Sequence, residues 1–227
     1  MATTRNVDWL QAVLLDMDGL LVDSEPLWFE VEQAVMSRLG GHWTPADQQA
    51  LVGGSLHRSV DYLLSRSRLP ASHDEVAGWL VGGMADLLAE REAVAMPGAI
   101  DLLARLRSAR IPRVLVTSSE RVIMDAVLAS LARHDIRFDA TVSGADVRHP
   151  KPHPEPYQRA AALIGADPAR CVALEDSPNG VASAEAAGCR TVAVPSLVPI
   201  EAGPGRVVAA SLSQVDLTLL RDLVAAG

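Results

Sequence analysis

The sequence predicts an α/β fold, a doubly wound parallel-sheet (Rossmann-like) core that carries an inserted all-helical cap subdomain. Short apolar segments alternate with segments of helical periodicity along most of the 227 residues, and this alternation is typical of a parallel sheet with helices on both faces. Residues 24–95 break the alternation because they contain helical patterns only. The predicted core therefore consists of residues 1–23 and 96–227, and the predicted cap of residues 24–95.

Six short segments rich in Val, Leu, Ala and Thr are the predicted strands. The first is apolar throughout and runs into Asp-Met-Asp-Gly, where the glycine permits a sharp exit from the strand. The predicted strands cover residues 13–15, 113–116, 140–142, 171–174, 191–194 and 206–209.

Helical spacing of apolar residues, often with a proline near the start, predicts the remaining elements. Four helices of the core follow this pattern, at residues 97–107, 120–131, 155–164 and 180–187. Four more follow one another in the cap, at residues 26–39, 45–51, 56–65 and 74–94. Pro26 and Pro97 stand at the two boundaries of the cap, where they stop regular structure and predict hinge points.

The net charge of the chain limits the kinds of partner that it can bind. The formal net charge is −8, whereas proteins that bind nucleic acid need clustered Lys and Arg to neutralise phosphates. The first apolar run is interrupted by Asp16 and Asp18, so it predicts neither a signal-peptide core nor a membrane span. We therefore expect no nucleic acid, no membrane and a cytoplasmic location. The expected oligomeric state is a monomer or a weak homodimer.

Lysine is nearly absent from the chain. Lys and Arg together number 20, and Lys151 is the one lysine among them. An ammonium is a compact point charge, whereas a guanidinium is a planar fork. Because every other basic residue of the Lys/Arg type is arginine, we predict that position 151 requires the smaller cation.

Polar side chains follow several predicted strands at the point where each strand ends. Asp16 and Asp18 follow the first strand, Thr117-Ser118-Ser119 follows the second, and Glu175-Asp176 follows a later one. The carboxyl ends of parallel strands share one edge of a sheet, where ligands bind. Carboxylates that converge there repel one another unless a hard cation such as Mg²⁺ lies among them. We therefore predict that Mg²⁺ binds as a cofactor where these carboxylates converge.

The two-residue spacing of Asp16 and Asp18 suits a division of labour. One carboxylate can take the metal and attack phosphorus, while the other reaches the leaving oxygen. Thr117 can donate a hydrogen bond to a phosphoryl oxygen, and Lys151 can offset charge on both nucleophile and phosphate. These residue types predict chemistry on a phosphate ester.

Taken in this order, the segments resemble the haloacid dehalogenase superfamily over nearly the whole chain. The resemblance implies that Asp16 is the nucleophile and Asp18 the general acid/base of a phosphatase. It also implies that Mg²⁺ is held by Asp16, by the backbone carbonyl of Asp18 and by Asp176, with Glu175 as an auxiliary ligand. The partner implied is a small-molecule phosphate ester.

Finer features indicate which members of the superfamily the chain resembles most. The helical insert is similar to the cap of the beta-phosphoglucomutase-like and phosphoglycolate-phosphatase-like members. The runs at residues 18–28 and 151–157 look closest to sugar-phosphate phosphatases, including the 2-deoxyglucose-6-phosphate type. A sugar or polyol phosphate is thus the expected substrate. Phosphoglycolate phosphatase and phosphosugar mutase activities remain alternatives, although the mutase carries a histidine where Trp28 aligns.

A receiver-type phospho-aspartate switch is an alternative from another class, because it also combines a phosphorylatable Asp with magnesium and a lysine. It needs no cap, and a neighbouring base such as Asp18 does not suit a long-lived phosphoaspartate. The remaining candidates are contacts to substrate or phosphate. They are Ser118 and Ser119 in the core, with Glu25, His57 and Arg58 in the cap. His57 and Arg58 follow a Gly-Gly-Ser loop that resembles the cap loop facing the core in this family.

Overall fold

The computed structural model describes residues 10–226. Its centre is a six-stranded sheet in which every pair of neighbouring strands is parallel. The strands are β1 (Ala12–Leu15), β2 (Arg113–Val116), β3 (Ala140–Val142), β4 (Cys171–Glu175), β5 (Arg190–Ala193) and β6 (Arg206–Val208). Their order is β3-β2-β1-β4-β5-β6. The fold class predicted from the sequence is confirmed.

Nine α-helices occur in the described part of the chain. Those between β1 and β2 are α1 (Glu25–Arg38), α2 (Pro45–Leu51), α3 (Leu56–Ser65), α4 (His73–Glu90) and α5 (Ala99–Ser108). The others are α6 (Arg121–Ala132), α7 (Glu155–Leu163), α8 (Pro178–Ala186) and α9 (Leu217–Ala225).

Two helices differ from the sequence-based expectation. The helix predicted to reach residue 94 ends at Glu90, because Arg91 has extended backbone angles, with φ −126° and ψ 134°. The chain then passes into a segment that forms a bridge between Ala95 and Val22. The C-terminal helix α9 was not predicted. It begins after Asp216, whose carboxylate accepts a hydrogen bond from the backbone N–H of Leu219 and so caps the helix.

The central strands are buried on both faces. β1, β2 and β4 are buried along their whole length, as expected for a parallel sheet covered by helices on each side. Successive side chains point to opposite faces. Leu15 therefore joins the larger apolar cluster, whereas Leu14 joins the smaller one around Tyr157.

The helices α1 to α4 form the segment predicted as a cap. Helix α4 packs against α1, α3 and the core helix α6. Capping boxes begin α2 at Thr44 and α4 at Ser72. The larger apolar cluster includes Val35 and Leu80 of these helices together with Leu15 of the sheet. The division into a core and a cap therefore stays a prediction.

The two links between this segment and the sheet lie side by side. The backbone N–H of Asp23 donates to the carbonyl of Val94 at 2.8 Å, and that of Met96 donates to the carbonyl of Leu21 at 2.9 Å. None of the described helices has the length and apolar character needed to cross a bilayer.

Candidate active site

Five polar side chains are buried together at the carboxyl edge of the sheet. Asp16 follows β1, Thr117 follows β2, Glu175 ends β4 and Asp176 follows it, while Lys151 comes from the loop before α7. All five are buried. The pairing of Leu15 with both Leu115 and Leu174 places these strand ends at the same level. The structure thus brings together the core residues that the sequence singled out.

The ammonium group of Lys151 has a complete set of acceptors. Its Nζ donates to Asp16 Oδ1 at 2.5 Å, to Glu175 Oε1 at 2.6 Å and to the carbonyl of Val116 at 2.8 Å. An ammonium has three hydrogens, so each acceptor takes one. Burial alone would lower the pKa of Lys151, but the two carboxylates outweigh it and raise the pKa above its usual range. Lys151 is therefore a fixed positive charge against Asp16.

Three carboxylates at this edge form a candidate cation site. Oxygen atoms of Asp16, Glu175 and Asp176 lie within 4.8 Å of one another. Burial raises the pKa of Asp16 to about 8, with Lys151 opposing the rise and Glu175 adding to it. Burial, then Asp16 and Glu175, also raise the pKa of Asp176 well above its usual range. A buried, all-oxygen donor set with mutual repulsion suits Mg²⁺, which prefers carboxylate ligands.

Glu175 and Asp176 are each held in position by neighbours. Tyr157, fully buried, donates its hydroxyl hydrogen bond to Glu175 Oε1. Ser196 Oγ donates to Asp176 Oδ2 at 2.6 Å. Gly19 has φ +73°, and a Cβ there would lie 2.2 Å from Asp176 Oδ2. Only glycine leaves room for this carboxylate while allowing the turn that follows Asp18.

Both oxygens of Asp18 accept hydrogen bonds. Oδ1 accepts from Ser24 Oγ at 2.6 Å and from Trp28 Nε1 at 3.3 Å. Oδ2 accepts from Ser119 Oγ at 2.7 Å and from Thr117 Oγ1 at 3.2 Å. Thr117 and Ser119, both expected to contact phosphate, thus contact the expected acid/base. These four donors fix the direction of the Asp18 carboxylate.

Ser118 differs from the hydroxyl residues beside it. Its Oγ is buried and has no hydrogen-bond partner in the structure. Ser118 lines the same cavity as Asp16 and Thr117. A buried hydroxyl without a partner is uncommon in folded proteins, so Ser118 has a hydrogen bond to give to a ligand in this cavity.

The cap candidates occupy two different places. Glu25 lines the cavity, and Gln48 Nε2 donates to its Oε2 at 3.0 Å. His57 and Arg58 are exposed and are not among the cavity-lining residues. His57 pairs with Asp61 one turn further along α3, at 3.4 Å. A direct role for His57 or Arg58 in substrate binding stays a prediction.

The cavity lies between the carboxyl edge of the sheet and α1 to α4. On the cap side, the residues not singled out from the sequence include Trp28, Glu32 and Gln48. Trp28 stands one helical turn after Ser24, a spacing at which both can reach one carboxylate. That spacing was the available signal for Trp28. Nothing local to Ser196 or Tyr157 predicted their contacts, because Tyr157 reaches the site from α7 and Ser196 from the segment that follows β5.

Comparison with known proteins agrees with this geometry. The family model described as haloacid dehalogenase-like hydrolase matches residues 10–188. Hexitol phosphatase B of Escherichia coli is 33% identical over 227 residues, which cover 99% of this chain and 98% of that protein. Phosphoglycolate phosphatase of Neisseria gonorrhoeae is 29% identical over 194 residues, covering 83% of this chain and 81% of that protein.

A solved structure extends the comparison to the fold. The crystal structure of CbbY from Rhodobacter sphaeroides in complex with phosphate superimposes with a TM-score of 0.83 at 26% identity. The match covers 93% of this chain and 99% of that one. The sequence matches and the shared fold therefore lead to the same assignment. The chain belongs to the haloacid dehalogenase-like hydrolase family.

Proposed function

We propose that this protein is a magnesium-dependent phosphatase that hydrolyses small sugar or polyol phosphates through a phosphorylated intermediate on Asp16. One observation carries the proposal. Asp16 is held by the Lys151 ammonium, and Asp18, two residues later, is held by four separate donors in the same cavity. The Asp16 carboxylate is thus held beside the Lys151 ammonium, and the Asp18 carboxylate is held where it can exchange a proton with a ligand in the cavity.

In the first step, a carboxylate oxygen of Asp16 attacks phosphorus and the bond between phosphorus and the ester oxygen breaks. Asp18 gives a proton to the departing oxygen, which leaves as an alcohol. The charge of Lys151 offsets negative charge on the attacking carboxylate and on the phosphoryl group. The free hydroxyl of Ser118 is placed to donate to a phosphoryl oxygen.

In the second step, Asp18 takes a proton from a water molecule whose oxygen attacks the same phosphorus atom. The bond between phosphorus and Asp16 then breaks, which releases inorganic phosphate and restores the Asp16 carboxylate. Thr117 and Ser119 hold Asp18 in place through its Oδ2. Asp18 thus acts as acid in the first step and as base in the second.

Asp16, Asp176 and the auxiliary ligand Glu175 would hold the metal ion, with the backbone carbonyl of Asp18 as a further ligand implied by the family resemblance. When bound, Mg²⁺ supplies positive charge that keeps the carboxylates ionised and stabilises charge on the transferring phosphoryl group. The raised pKa values of Asp16 and Asp176 support the need for such a cation.

The substrate class rests on the relatives and on the cap. One relative is named a hexitol phosphatase, and α1 and α2 cover the cavity with a lining that includes the polar side chains of Glu25, Glu32 and Gln48. Small esters fit beneath such a cover, whereas large phosphorylated macromolecules do not. The cytoplasmic location and the monomeric or weakly dimeric state stay predictions.

A metal-depletion experiment tests this proposal. The protein is treated with EDTA, verified as metal-free by elemental analysis, and assayed with p-nitrophenyl phosphate and with a hexitol phosphate. We expect turnover to vanish and to return on adding Mg²⁺, but not on adding Na⁺ at matched ionic strength. Undiminished hydrolysis by the verified metal-free protein would overturn the metal requirement, and hydrolysis of neither ester with Mg²⁺ would overturn the proposed activity.

A further inference from the structure

Helix α1 presents a stripe of three large side chains to the cavity. Glu25, Trp28 and Glu32 stand at positions i, i+3 and i+7, which share one face of a helix. All three line the cavity. Glu32 is buried even though it is a carboxylate, and buried carboxylates are rare unless they are paired or functional. The mechanism proposed above uses Trp28 as a donor to Asp18 but leaves the two glutamates without an assigned role.

Each of the two glutamates has one oxygen engaged and one available. Gln48 Nε2 donates to Glu25 Oε2 at 3.0 Å, and Trp43 Nε1 donates to Glu32 Oε2 at 3.0 Å. Within residues 10–226, no hydrogen bond reaches Oε1 of either Glu25 or Glu32. The positions of Oε2 are therefore fixed by neighbours, which orients each free oxygen for a ligand.

Burial also changes the protonation of the two groups. It raises the pKa of Glu25 to about 7, helped by the nearby charge of Asp18. It raises the pKa of Glu32 to about 8, helped by Glu25. A carboxyl group that titrates near neutrality can both accept and donate hydrogen bonds. An alcohol hydroxyl has the same dual capacity, so the two kinds of group match.

The cavity offers little to a second anionic group of a substrate. Of the residues that line it, six carry carboxylates, and they are Asp16, Asp18, Glu25, Glu32, Glu120 and Asp176. Lys151 is the one cation among the lining residues, and its three hydrogens are already donated. Arg58 instead donates to the carbonyl of Ala50 at 2.8 Å and does not line the cavity. An additional buried anion would have no counter-charge there.

We propose that Glu25 and Glu32 form a hydrogen-bonding subsite that receives the uncharged hydroxyl groups of a polyol phosphate and excludes phosphate esters with a second anionic group. This inference rests on the proposed phosphatase function and names its substrate class. It assigns Glu25 and Glu32 to specificity, with Gln48 positioning Glu25 and Trp43 positioning Glu32.

A matched pair of substrates tests the exclusion of anions on the unmodified protein. Glucitol 6-phosphate and 6-phosphogluconate share the same six-carbon chain and phosphate, and differ in a terminal CH₂OH group against a carboxylate. We expect kcat/KM to be at least tenfold higher for glucitol 6-phosphate. Equal efficiencies, or a preference for 6-phosphogluconate or phosphoglycolate, would overturn the proposal.

Substitution at the two glutamates tests the hydroxyl contacts. In Glu32→Met and Glu25→Met, we expect the ratio of kcat/KM for glucitol 6-phosphate to that for p-nitrophenyl phosphate to fall about tenfold, whereas Glu32→Gln keeps most of the ratio. Glu30→Gln, on the exposed face of the same helix, is the matched control. Because Glu25 lies at the first turn of α1, Glu25→Met carries the test if Glu32→Met does not fold.

The outcomes separate this inference from the function on which it rests. An equal loss with both esters in the folded Met variants would reduce the two glutamates to a structural role and overturn the subsite. An unchanged ratio would overturn it as well. If the unmodified protein with Mg²⁺ hydrolysed neither ester, the proposed function itself would fail.

Discussion

Replacing Lys151 by arginine keeps the positive charge but not the geometry of its hydrogen bonds. Nζ is the meeting point of three acceptors at 2.5, 2.6 and 2.8 Å. A planar guanidinium spreads its donors over five N–H groups and cannot direct three of them from one atom. The side chain is also buried on every side, so the larger head group must displace Asp16 or occupy the phosphate position.

The expected loss follows from these contacts. Each hydrogen bond that involves a charged group contributes about 1.5–3 kcal/mol, and forcing extra atoms into a packed site costs about 1–3 kcal/mol. Losing two bonds and adding the strain therefore amounts to about 4 kcal/mol at least, or roughly a 10³-fold loss at about 1.4 kcal/mol per tenfold. Lys151→Arg should lower kcat/KM for p-nitrophenyl phosphate by about that factor.

The assay is steady-state hydrolysis with saturating Mg²⁺, accompanied by thermal melting to verify that the variant is folded. Arg91→Lys, which preserves charge in an exposed pair with Glu30, is the control and should leave kcat/KM unchanged. A folded Lys151→Arg protein with more than a tenth of the normal efficiency would refute the argument that the position requires an ammonium.

Three further predictions concern the surroundings of the site. A Cβ at Gly53 would lie 2.3 Å from Ser177 Oγ, and Gly53 has φ +65°, so Gly53→Ala should raise KM several-fold by holding the cap loop away from the core; an unchanged KM would contradict this. Gly82 in α4 has open space around it, so Gly82→Ala should raise the free energy of unfolding by about 0.5–1 kcal/mol in chemical denaturation, and a decrease would count against the helix. Burial alone would raise the pKa of Asp146, but hydrogen bonding, first of all to Arg121, lowers it from 3.8 to about 2. Ionised Asp146 therefore stabilises the folded state above about pH 4, and the difference in free energy of unfolding between the unmodified protein and Asp146→Asn should disappear as the pH falls from about 4 to 2. A difference that does not change with pH would contradict the pairing of Asp146 with Arg121.

Much of the fold was predictable because its strands are short, mostly apolar runs, and β1 to β4 are each followed directly by a polar residue. All six strands of the sheet lie within a residue of their predicted bounds. Burial on both faces gives β1, β2 and β4 a continuous apolar signal. Helix α9 was missed because it has only nine residues and follows a short 3-10 turn at Leu212–Gln214. Its apolar residues Leu217, Leu220 and Val224 do recur at helical spacing.

The candidate site was predictable to the extent that its residues end strands. Asp16, Thr117 and Glu175 share an edge because parallel strands place their carboxyl ends together. Contacts made across the fold carry no local signal. Ser196 reaches Asp176 from 20 positions away, and Tyr157 reaches Glu175 from 18 positions away. In the sequence, Glu32 looks like an ordinary polar residue of a helix, because only the tertiary fold places its side chain in the cavity.

The hydrogen bonds of Thr117 and Ser119 illustrate a further limit. Both hydroxyls donate to Asp18 in the structure, which their positions at the end of β2 did not predict, and their contact with phosphate stays a prediction. The positions of the strand ends predict which residues lie close together. Which hydrogen-bond donor meets which acceptor depends on atomic positions in the folded protein to within about 1 Å.

Trapping the phosphorylated intermediate tests the central claim most directly. Asp18→Asn removes the base that activates water but leaves Asp16 and Lys151 in place, so the intermediate should accumulate when this variant is mixed with Mg²⁺ and p-nitrophenyl phosphate and quenched in acid. Peptide mass spectrometry should then find one phosphoryl group on Asp16, and none in the Asp16→Asn/Asp18→Asn double variant. Phosphate attached to another residue, or single-turnover release of nitrophenol with no phosphorylated peptide at any time point, would contradict covalent catalysis by Asp16.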